Sequence, residues 1–277
     1  MTHSFLSRVS LPTLLGLAAL SFSSSSAATQ DPQYNAVWRM GGGPEVQVYG
    51  WTADDLAKKD NEMFAGNMRL SSLQGYPVDG GVRYNAVWKP GTEAQQVVYG
   101  WTYADYRKKY DELWKQGWRL KILGVVNIPD GLRYNAAWKP GTEAEVQVYG
   151  WAYADLRKKY DALWKQNMCL SSLQSYLVGG QVRMNAVWKP GNQSELQVYG
   201  WTYADYRKKY DELWPQGWRL SILQPYRLSD GSVRYDAVWR PGNEAEIQVY
   251  GSSYVDYRAE YDKRWKDGWR LSILSVH

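Results

Sequence analysis

Hydrophobic and polar positions along the chain repeat with a period of 50 residues. The word YNAVW begins at Tyr34 and Tyr84 and returns as YNAAW at Tyr134, MNAVW at Met184 and YDAVW at Tyr235. The word VYGW, or a variant of it, follows each time. A fixed period of this length is typical of architectures in which each repeat buries its apolar face against its neighbours. The pattern therefore predicts one domain of five repeats over residues 29–277.

Each repeat is predicted to contain three strands and one helix. Apolar and polar residues alternate over Val82–Lys89, which is typical of a half-buried strand, and the Pro-Gly pair after it suits a type II turn. After VYGW, Thr102 and Asp105 resemble a capping box, and an apolar stripe over residues 103–114 predicts an amphipathic helix. Gly117 stands where a left-handed residue ends a helix, and WRLKIL reads as a third strand that leads into a hairpin.

The predicted fold class is mainly β with one helix per repeat (α+β). The first repeat starts at YNAVW without a preceding WRL strand, and the last one finishes on the WRL strand at 269–277. We therefore expect a five-repeat closed ring, β-propeller-like, in which strand 269–277 completes the sheet begun at Tyr34. The alternative is an open α/β solenoid, which leaves an exposed sheet edge at each end.

The repeated words resemble a known family. The motifs W-K-P-G, V-Y-G-W-x-Y-x-x-Y-R-x-K-Y-D-x-L-W and G-W-R-L are similar to those of the bacterial tandem repeat domain family. Such repeats form the N-terminal domain of secreted fungal polyglycine hydrolases, where they precede a β-lactamase-like serine hydrolase domain. The resemblance implies a secreted, ring-like domain with no established activity of its own. It offers no catalytic residue to transfer, since the hydrolase half has no counterpart in these 277 residues.

Residues 1–28 are predicted to be a secretory signal peptide. Arg8 precedes an apolar segment at 11–20, and small residues at 26–28 suit cleavage after Ala28. The apolar segment is too short to span a membrane, and no later segment is long and apolar enough. We therefore expect a secreted, extracellular protein. The single cysteine, Cys169, excludes an intramolecular disulfide.

The aromatic content and the distribution of charge limit the classes of partner that the chain is expected to bind. The chain has 16 Trp and 23 Tyr against 3 Phe, so its aromatics are mostly amphipathic and suit shallow cores in which ring N–H or O–H groups find partners. The formal net charge is +5, and charges of opposite sign are interspersed along the sequence. Nucleic-acid-binding domains instead cluster their basic residues. We expect a monomer that binds no nucleic acid.

Catalytic chemistry is not indicated. The only histidines are His3 and His277, which argues against a histidine-based triad or a histidine-rich metal site. Asp105 and Asp111 recur in the helices of the last three repeats, where helix capping and i,i+4 ion pairs explain them better than a converging pair of glycosidase carboxylates. We therefore predict a protein that is not an enzyme, with no catalytic residues, no metal and no cofactor.

Binding residues are instead expected where YGW corners and variable hairpins share one face. All tryptophans fall into four repeated slots. Three slots are predicted to be core, whereas the YGW slot lies at a strand end and is equally compatible with packing or binding. Tyrosines and aspartates of the hairpins suit stacking on sugars and hydrogen bonding to hydroxyls, although simple sequence drift explains the hairpins equally well. The candidate binding residues are Tyr76, Tyr176, Tyr226, Asp79, Asp230, Trp51, Trp101, Trp151 and Trp201.

These features predict a secreted, non-catalytic repeat protein that acts as a multivalent binding module for a glycan or an extracellular protein. The alternative is an accessory or targeting module that acts with a separate secreted serine hydrolase. An enzyme with repeated carboxylates is disfavoured, because no unique polar cluster interrupts the repetition. Asn192 begins an N-Q-S sequon, which would be glycosylated only in a eukaryotic source.

Overall fold

The computed structural model describes residues 31–277, so the predicted signal peptide at 1–28 lies outside the described residues. Five three-stranded antiparallel sheets form the described part of the chain, and one helix belongs to each. The predicted class, mainly β with three strands and one helix per repeat, is confirmed. We name the three strands of each sheet by their sequence words: the YGW strand, the WRL strand and the YNAVW strand.

The elements recur in a constant order along the chain. The YGW strands are β2 (Val46–Trp51), β5 (Gln96–Trp101), β8 (Val146–Trp151), β11 (Leu196–Trp201) and β14 (Glu246–Ser252). The helices are α1 (Ala53–Ala65), α2 (Tyr103–Lys115), α3 (Tyr153–Trp164), α4 (Tyr203–Leu213), which a 3-10 turn at Trp214–Gln216 extends, and α5 (Tyr254–Lys266). The WRL strands are β3 (Met68–Val78), β6 (Trp118–Ile128), β9 (Met168–Val178), β12 (Trp218–Arg227) and β15 (Trp269–Val276). The YNAVW strands are β1 (Tyr34–Met40), β4 (Gly81–Pro90), β7 (Gly131–Pro140), β10 (Gln181–Pro190) and β13 (Val233–Pro241).

The YNAVW strand lies in the centre of every sheet. Strand β4, for example, pairs with β3 through a hairpin and with β2 on its other side. Strand β1 lies between β14 and β15. Its register with β15 runs from Tyr34 opposite Val276 to Met40 opposite Trp269. The first strand of the described chain is thus completed by the last repeat, and the segments after each YNAVW strand carry the chain from one sheet to the next.

The YNAVW strands are buried on both faces. The half-buried strand expected from the alternating pattern is therefore wrong. Trp88 packs with Leu56 of α1 in the core of its own sheet, whereas Val87 packs on the other face with Tyr34 and Tyr257 of the last sheet. Helix and neighbouring sheet together leave Trp88 fully buried and Val87 1% exposed. Each core is therefore shared between two sheets.

Neighbouring sheets meet along their WRL strands. Strand β3 contacts β6, β6 contacts β9, β9 contacts β12, β12 contacts β15, and β15 contacts β3. The cation at the end of a YNAVW strand adds a polar contact, since Lys189 Nζ donates to the Leu120 carbonyl at 2.6 Å and Lys89 Nζ donates to the Leu271 carbonyl. The second of these contacts joins the second repeat to the last.

The helix ends follow their sequence signals. The Thr102 Oγ1 accepts the Asp105 N–H at 3.2 Å, and Gly117 after α2 has φ 76°. The type II turn expected at Pro90-Gly91 is wrong, because Gly91 is not left-handed and its N–H donates to the Asn67 carbonyl at 2.9 Å. Glycine is needed there for space, since a Cβ would lie 2.8 Å from Arg69 Cγ. Within residues 31–277, no helix is both long and apolar enough to cross a membrane.

A matched pair of core tryptophans tests one buried hydrogen bond. Trp88 Nε1 donates to Asp60 Oδ1 at 2.7 Å, whereas Trp188 Nε1 has no acceptor among the described residues. Both indoles are fully buried. We expect Trp88→Phe to lower the free energy of unfolding by about 1–2 kcal/mol more than Trp188→Phe does, because only the former removes the indole donor from the half-buried Asp60 carboxyl. Equal losses in urea unfolding would contradict this.

Candidate functional site

The site is built at the YGW corner, where each YGW strand ends and the helix begins. In the first corner, Val48 pairs with Ala86 and Trp51 pairs with Tyr84, so two residues of β2 oppose one residue of β4. This two-against-one pairing is a β-bulge. Gly50 occupies the bulge with φ 70°, a conformation that costs glycine little and other residues more. The bulge ends the strand and aims Trp51 outwards.

A buried side-chain oxygen holds each bulge in place, from an asparagine in four corners and from an aspartate in the fourth. Asn85 is fully buried, and its Oδ1 accepts the Gly50 N–H at 3.0 Å. The counterparts are Asn135 with Gly100 at 2.7 Å, Asn185 with Gly150 at 2.8 Å, Asp236 with Gly200 at 2.7 Å and Asn35 with Gly251 at 3.1 Å. Sequence reasoning missed these residues, because an alternating pattern assigns them to the solvent face. The signal that could have revealed them is the polar residue that recurs at the second position of the otherwise apolar word YNAVW.

The tryptophans of four corners are exposed to the same extent. Trp51, Trp101, Trp151 and Trp201 are each 37% exposed, whereas the tryptophans of the YNAVW strands are fully buried. Ser252 takes this place in the fifth corner. The structure therefore brings the four predicted tryptophans to equivalent surface positions. They lie at the sheet ends that also carry the hairpins between WRL and YNAVW strands, such as the hairpin between β3 and β4.

An open groove runs beside the exposed indole. In the first corner it has a volume of about 660 Å³ and is lined by Gly50, Trp51, Thr52, Asp55, Lys58, Lys59, Glu62 and Arg83. In the second corner a groove of about 440 Å³ is lined by Trp101, Asp105, Lys108, Lys109 and Glu112. The two grooves use the same repeat slots. Each offers an aromatic face bordered by cations.

The groove carboxylates are already engaged. Asp55 Oδ2 accepts the Thr52 hydroxyl at 2.8 Å, and Glu62 accepts Lys59 Nζ at 2.7 Å. The Asp55 contact is the capping role expected from the sequence, and the i,i+4 ion pair expected of Asp111 forms with Arg107 Nη2 at 2.7 Å. Among residues 31–277, no group of three or more His, Cys, Asp or Glu side chains is placed to hold a metal.

The three candidate tyrosines are not in loops, and that expectation is wrong. Tyr76, Tyr176 and Tyr226 lie inside β3, β9 and β12 and are only 8%, 7% and 8% exposed. The WRL strands extend further than their sequence suggested, so these rings enter the core. The Tyr176 hydroxyl donates to Asn185 Oδ1 at 2.9 Å, the same atom that holds the third bulge. The hydroxyls of the three tyrosines thus lie close to the bulge glycines of their corners.

The two candidate aspartates are exposed in hairpin turns. Asp79 has φ 46° and precedes Gly80, so it forms the turn itself. Asp230 Oδ1 accepts the Ser232 N–H at 2.9 Å and the Ser232 hydroxyl at 2.6 Å, and these bonds lower the pKa of Asp230. Its carboxylate is therefore occupied by its own turn.

The remaining singled-out residues lie away from the corners. Asn192 is exposed in the segment between β10 and β11. Cys169 is buried, and its Sγ lies 3.6 Å from the Gln193 carbonyl. Burial raises the pKa of the Cys169 thiol, which disfavours the reactive thiolate.

The fourth corner carries one substitution in its support. Asp236 stands where the other YNAVW strands have asparagine, and its two oxygens accept the Gly200 N–H and the Ser175 hydroxyl. Burial raises the pKa of Asp236 to about 7, because the two hydrogen bonds only partly replace the lost hydration of the charge. A group that ionises near neutral pH thus accepts the N–H of Gly200, the residue that precedes Trp201.

Comparison with known proteins gives one family. A family model described as polyglycine hydrolase-like, structural repeat matches residues 42–90, 92–140, 144–190 and 197–241. Each match ends where a YNAVW strand ends, so its bounds cover the strands and helix of one sheet, apart from Leu196 at the start of β11. No curated protein matches the chain.

The buried carboxyl predicts a pH-dependent stability. The pKa of Asp236 rises from 3.8 to about 7 on folding, so the ionised group costs little stability below pH 3.8 and the full amount above pH 7. We expect Asp236→Asn to raise the free energy of unfolding by about 1–4 kcal/mol at pH 8 and by much less at pH 4.

Thermal unfolding of both proteins from pH 4 to 8 checks this. Burial also lowers the pKa of His277 to about 4, which destabilises the fold as pH falls from 6.5. That opposite slope is common to both proteins and cancels in the difference between them. If the difference in stability between the two proteins does not grow with pH, burial of the Asp236 charge does not destabilise the fold.

Proposed function

This chain belongs to the family of polyglycine hydrolase-like structural repeats, and from that premise we propose that it is a secreted, non-catalytic module that binds polysaccharide through its YGW corners. The observation that carries the proposal is the equal 37% exposure of the four corner tryptophans. Other tryptophans differ: those of the YNAVW strands are fully buried, and Trp114 and Trp118 are half-buried against a core cluster. Trp164 is as exposed as the corner indoles, but it is alone among the tryptophans of its slot in this. Four equivalent indoles held open by a rigid bulge are better explained by a ligand than by packing.

Sugar rings suit this geometry. An indole presents a flat apolar face, and the adjoining groove supplies hydroxyl and charged groups that can hydrogen-bond to sugar hydroxyls. A groove that is open at the surface accommodates an internal segment of a chain, which a closed pocket would not. Repetition of weak sites on one scaffold raises the affinity for a repeating polymer through multivalency.

The spacing of the corners depends on a closed ring, which is also part of the proposal. Three contacts support it: β15 lies beside β3, Lys89 bonds to the Leu271 carbonyl, and Val87 packs with Tyr34 and Tyr257. Each contact joins the sheet of β1, β14 and β15 to the sheet of β2, β3 and β4. The other neighbouring sheets are joined by contacts of the same kind. A propeller-like ring of five such sheets fixes the corners relative to one another.

A second candidate is an accessory role beside a separate secreted serine hydrolase. The family description favours it, since it names polyglycine hydrolases. Affinity purification of the tagged chain from culture medium tests this role. Specific recovery of a serine hydrolase, labelled by a fluorophosphonate probe, supports it, and recovery of the chain without such activity counts against it.

Removal of the four corner indoles tests the binding function. We expect the quadruple variant with Trp51, Trp101, Trp151 and Trp201 changed to alanine to lose polysaccharide affinity by about tenfold or more, since multivalent contacts are lost together. The measurement is retardation in native gels that contain neutral or acidic polysaccharides. Trp164→Ala is the control, because Trp164 is 38% exposed but lies at the other end of its helix. Unchanged retardation of the quadruple variant would refute the proposal.

A matched pair of leucines tests ring closure. Leu274 and Leu123 occupy the same slot of a WRL strand, and each is 3% exposed. In a closed ring, Leu274→Ala and Leu123→Ala should each shift one cooperative unfolding transition by about 2–5 kcal/mol. Tryptophan fluorescence and circular dichroism in urea are the measurements. A separate early transition in Leu274→Ala alone would indicate an open array with a fraying end.

A further inference from the structure

The four corners that keep tryptophan also keep two cations that the fifth corner lacks. The first corner combines Trp51 with Lys58 and Arg83 in one groove. By repeat position, the equivalent sets are Trp101 with Lys108 and Arg133, Trp151 with Lys158 and Arg183, and Trp201 with Lys208 and Arg234. In the second corner, Trp101 and Lys108 line the groove itself. In the fifth corner these three slots hold Ser252, Ala259 and Gln33. Aromatic and cationic residues are thus present together or absent together.

The fold does not require this set. The fifth corner keeps the bulge, since Asn35 Oδ1 accepts the Gly251 N–H at 3.1 Å. Its helix α5 is still capped, because the Ser253 side chain accepts the Asp256 N–H. The corner therefore forms without the tryptophan, the lysine or the arginine. Their joint presence in the other four corners needs a reason other than folding.

The arginines of the set have no acidic partner in the part of the chain that the structure describes. Across residues 31–277, Arg83, Arg133, Arg183 and Arg234 form no ion pair. Arg133, for instance, donates only to the carbonyls of Asp130 and Leu132.

The lysines divide into two groups. Lys58 has only Asp55 nearby, at 3.9 Å, with its own side chain 80% exposed. Lys59 and Lys209, one position further along their helices, instead pair with glutamates at 2.7 and 2.8 Å. The free charge therefore lies beside the indole, on the arginine and on the first lysine of each pair.

We propose that the four corners recognise an acidic polysaccharide, with sugar rings stacked on the indoles and their anionic groups held by the neighbouring guanidinium and ammonium. This inference rests on the proposed polysaccharide binding and names the class of polymer. A guanidinium bonds the two oxygens of a carboxylate or a sulfate in one plane, and the ammonium adds a point charge. A neutral sugar would leave both cations without a partner.

The groove acids do not oppose this assignment. Asp55 is held by the Thr52 hydroxyl and caps α1, and Glu62 is held by Lys59. The net charge of the groove residues Asp55, Lys58, Lys59, Glu62 and Arg83 is therefore positive. Because the site is open to solvent, salt should weaken binding to the polymer.

Two quadruple variants convert the four corners to the residues of the fifth. One carries Arg83, Arg133, Arg183 and Arg234 changed to glutamine, and the other carries Lys58, Lys108, Lys158 and Lys208 changed to alanine. Both should fold, since the fifth corner forms with these residues. The charge-matched control changes four exposed lysines elsewhere to glutamine: Lys115, Lys139, Lys165 and Lys266.

Polygalacturonate, sulfated dextran and unmodified dextran serve as probes in native gels and calorimetry. We expect wild type to bind at least one acidic polymer, to bind it more weakly at high salt, and to prefer it to dextran. Each corner variant should lose about tenfold or more of that affinity, whereas the control should keep it. Preference between the two acidic polymers tells whether carboxylate or sulfate is the group recognised.

Three results would overturn the inference. The first is a control that loses as much affinity as the corner variants, since net charge alone would then explain binding. The second is corner variants with wild-type affinity for the acidic polymers. The third is tryptophan-dependent binding of dextran without preference for acidic polymers, in which case polysaccharide binding stands and its acidic specificity falls. If wild type binds none of the polysaccharides, both proposals fail.

Discussion

The burial of the YNAVW strand on both faces is the constraint on which the rest of the structure depends. This strand is central in each sheet, and both strands beside it come from the preceding repeat, as β2 and β3 do for β4. No repeat can therefore complete a sheet alone. The same rule places β1 between β14 and β15, so that the two ends of the described chain complete one sheet.

A polar residue in such a strand must find its hydrogen bonds inside the protein. Asn85 meets part of this need, since its Oδ1 accepts the N–H of Gly50 in the bulge, whereas its Nδ2 has no acceptor among the described residues. The bulge in turn ends the strand and directs Trp51 to solvent. A requirement of the interior thus produces the feature on the surface that we assign to binding. Asp236 meets the same need with a carboxylate, at a cost in stability that depends on pH.

Local signals in the sequence were reliable where the structure they specify is also local. Thr102 with Asp105 predicted the start of α2, and Gly117 predicted its end. The glycine after Pro90 misled, because its role is to admit the Arg69 side chain from another strand. Tyr76 misled for a similar reason, since the extent of β3 is set by its pairing with β4 and not by its own residues.

The period, the kind and order of elements, the helix caps and the family can be read from the amino-acid sequence, because each depends on residues a few positions apart or on the repetition. The central position of the YNAVW strand, the equal exposure of the corner tryptophans and the partners of the buried asparagines become visible in the folded chain. These features depend on contacts between residues of different strands and repeats. A short stretch of sequence cannot specify them, because the same alternating pattern fits a strand covered on one face or on both.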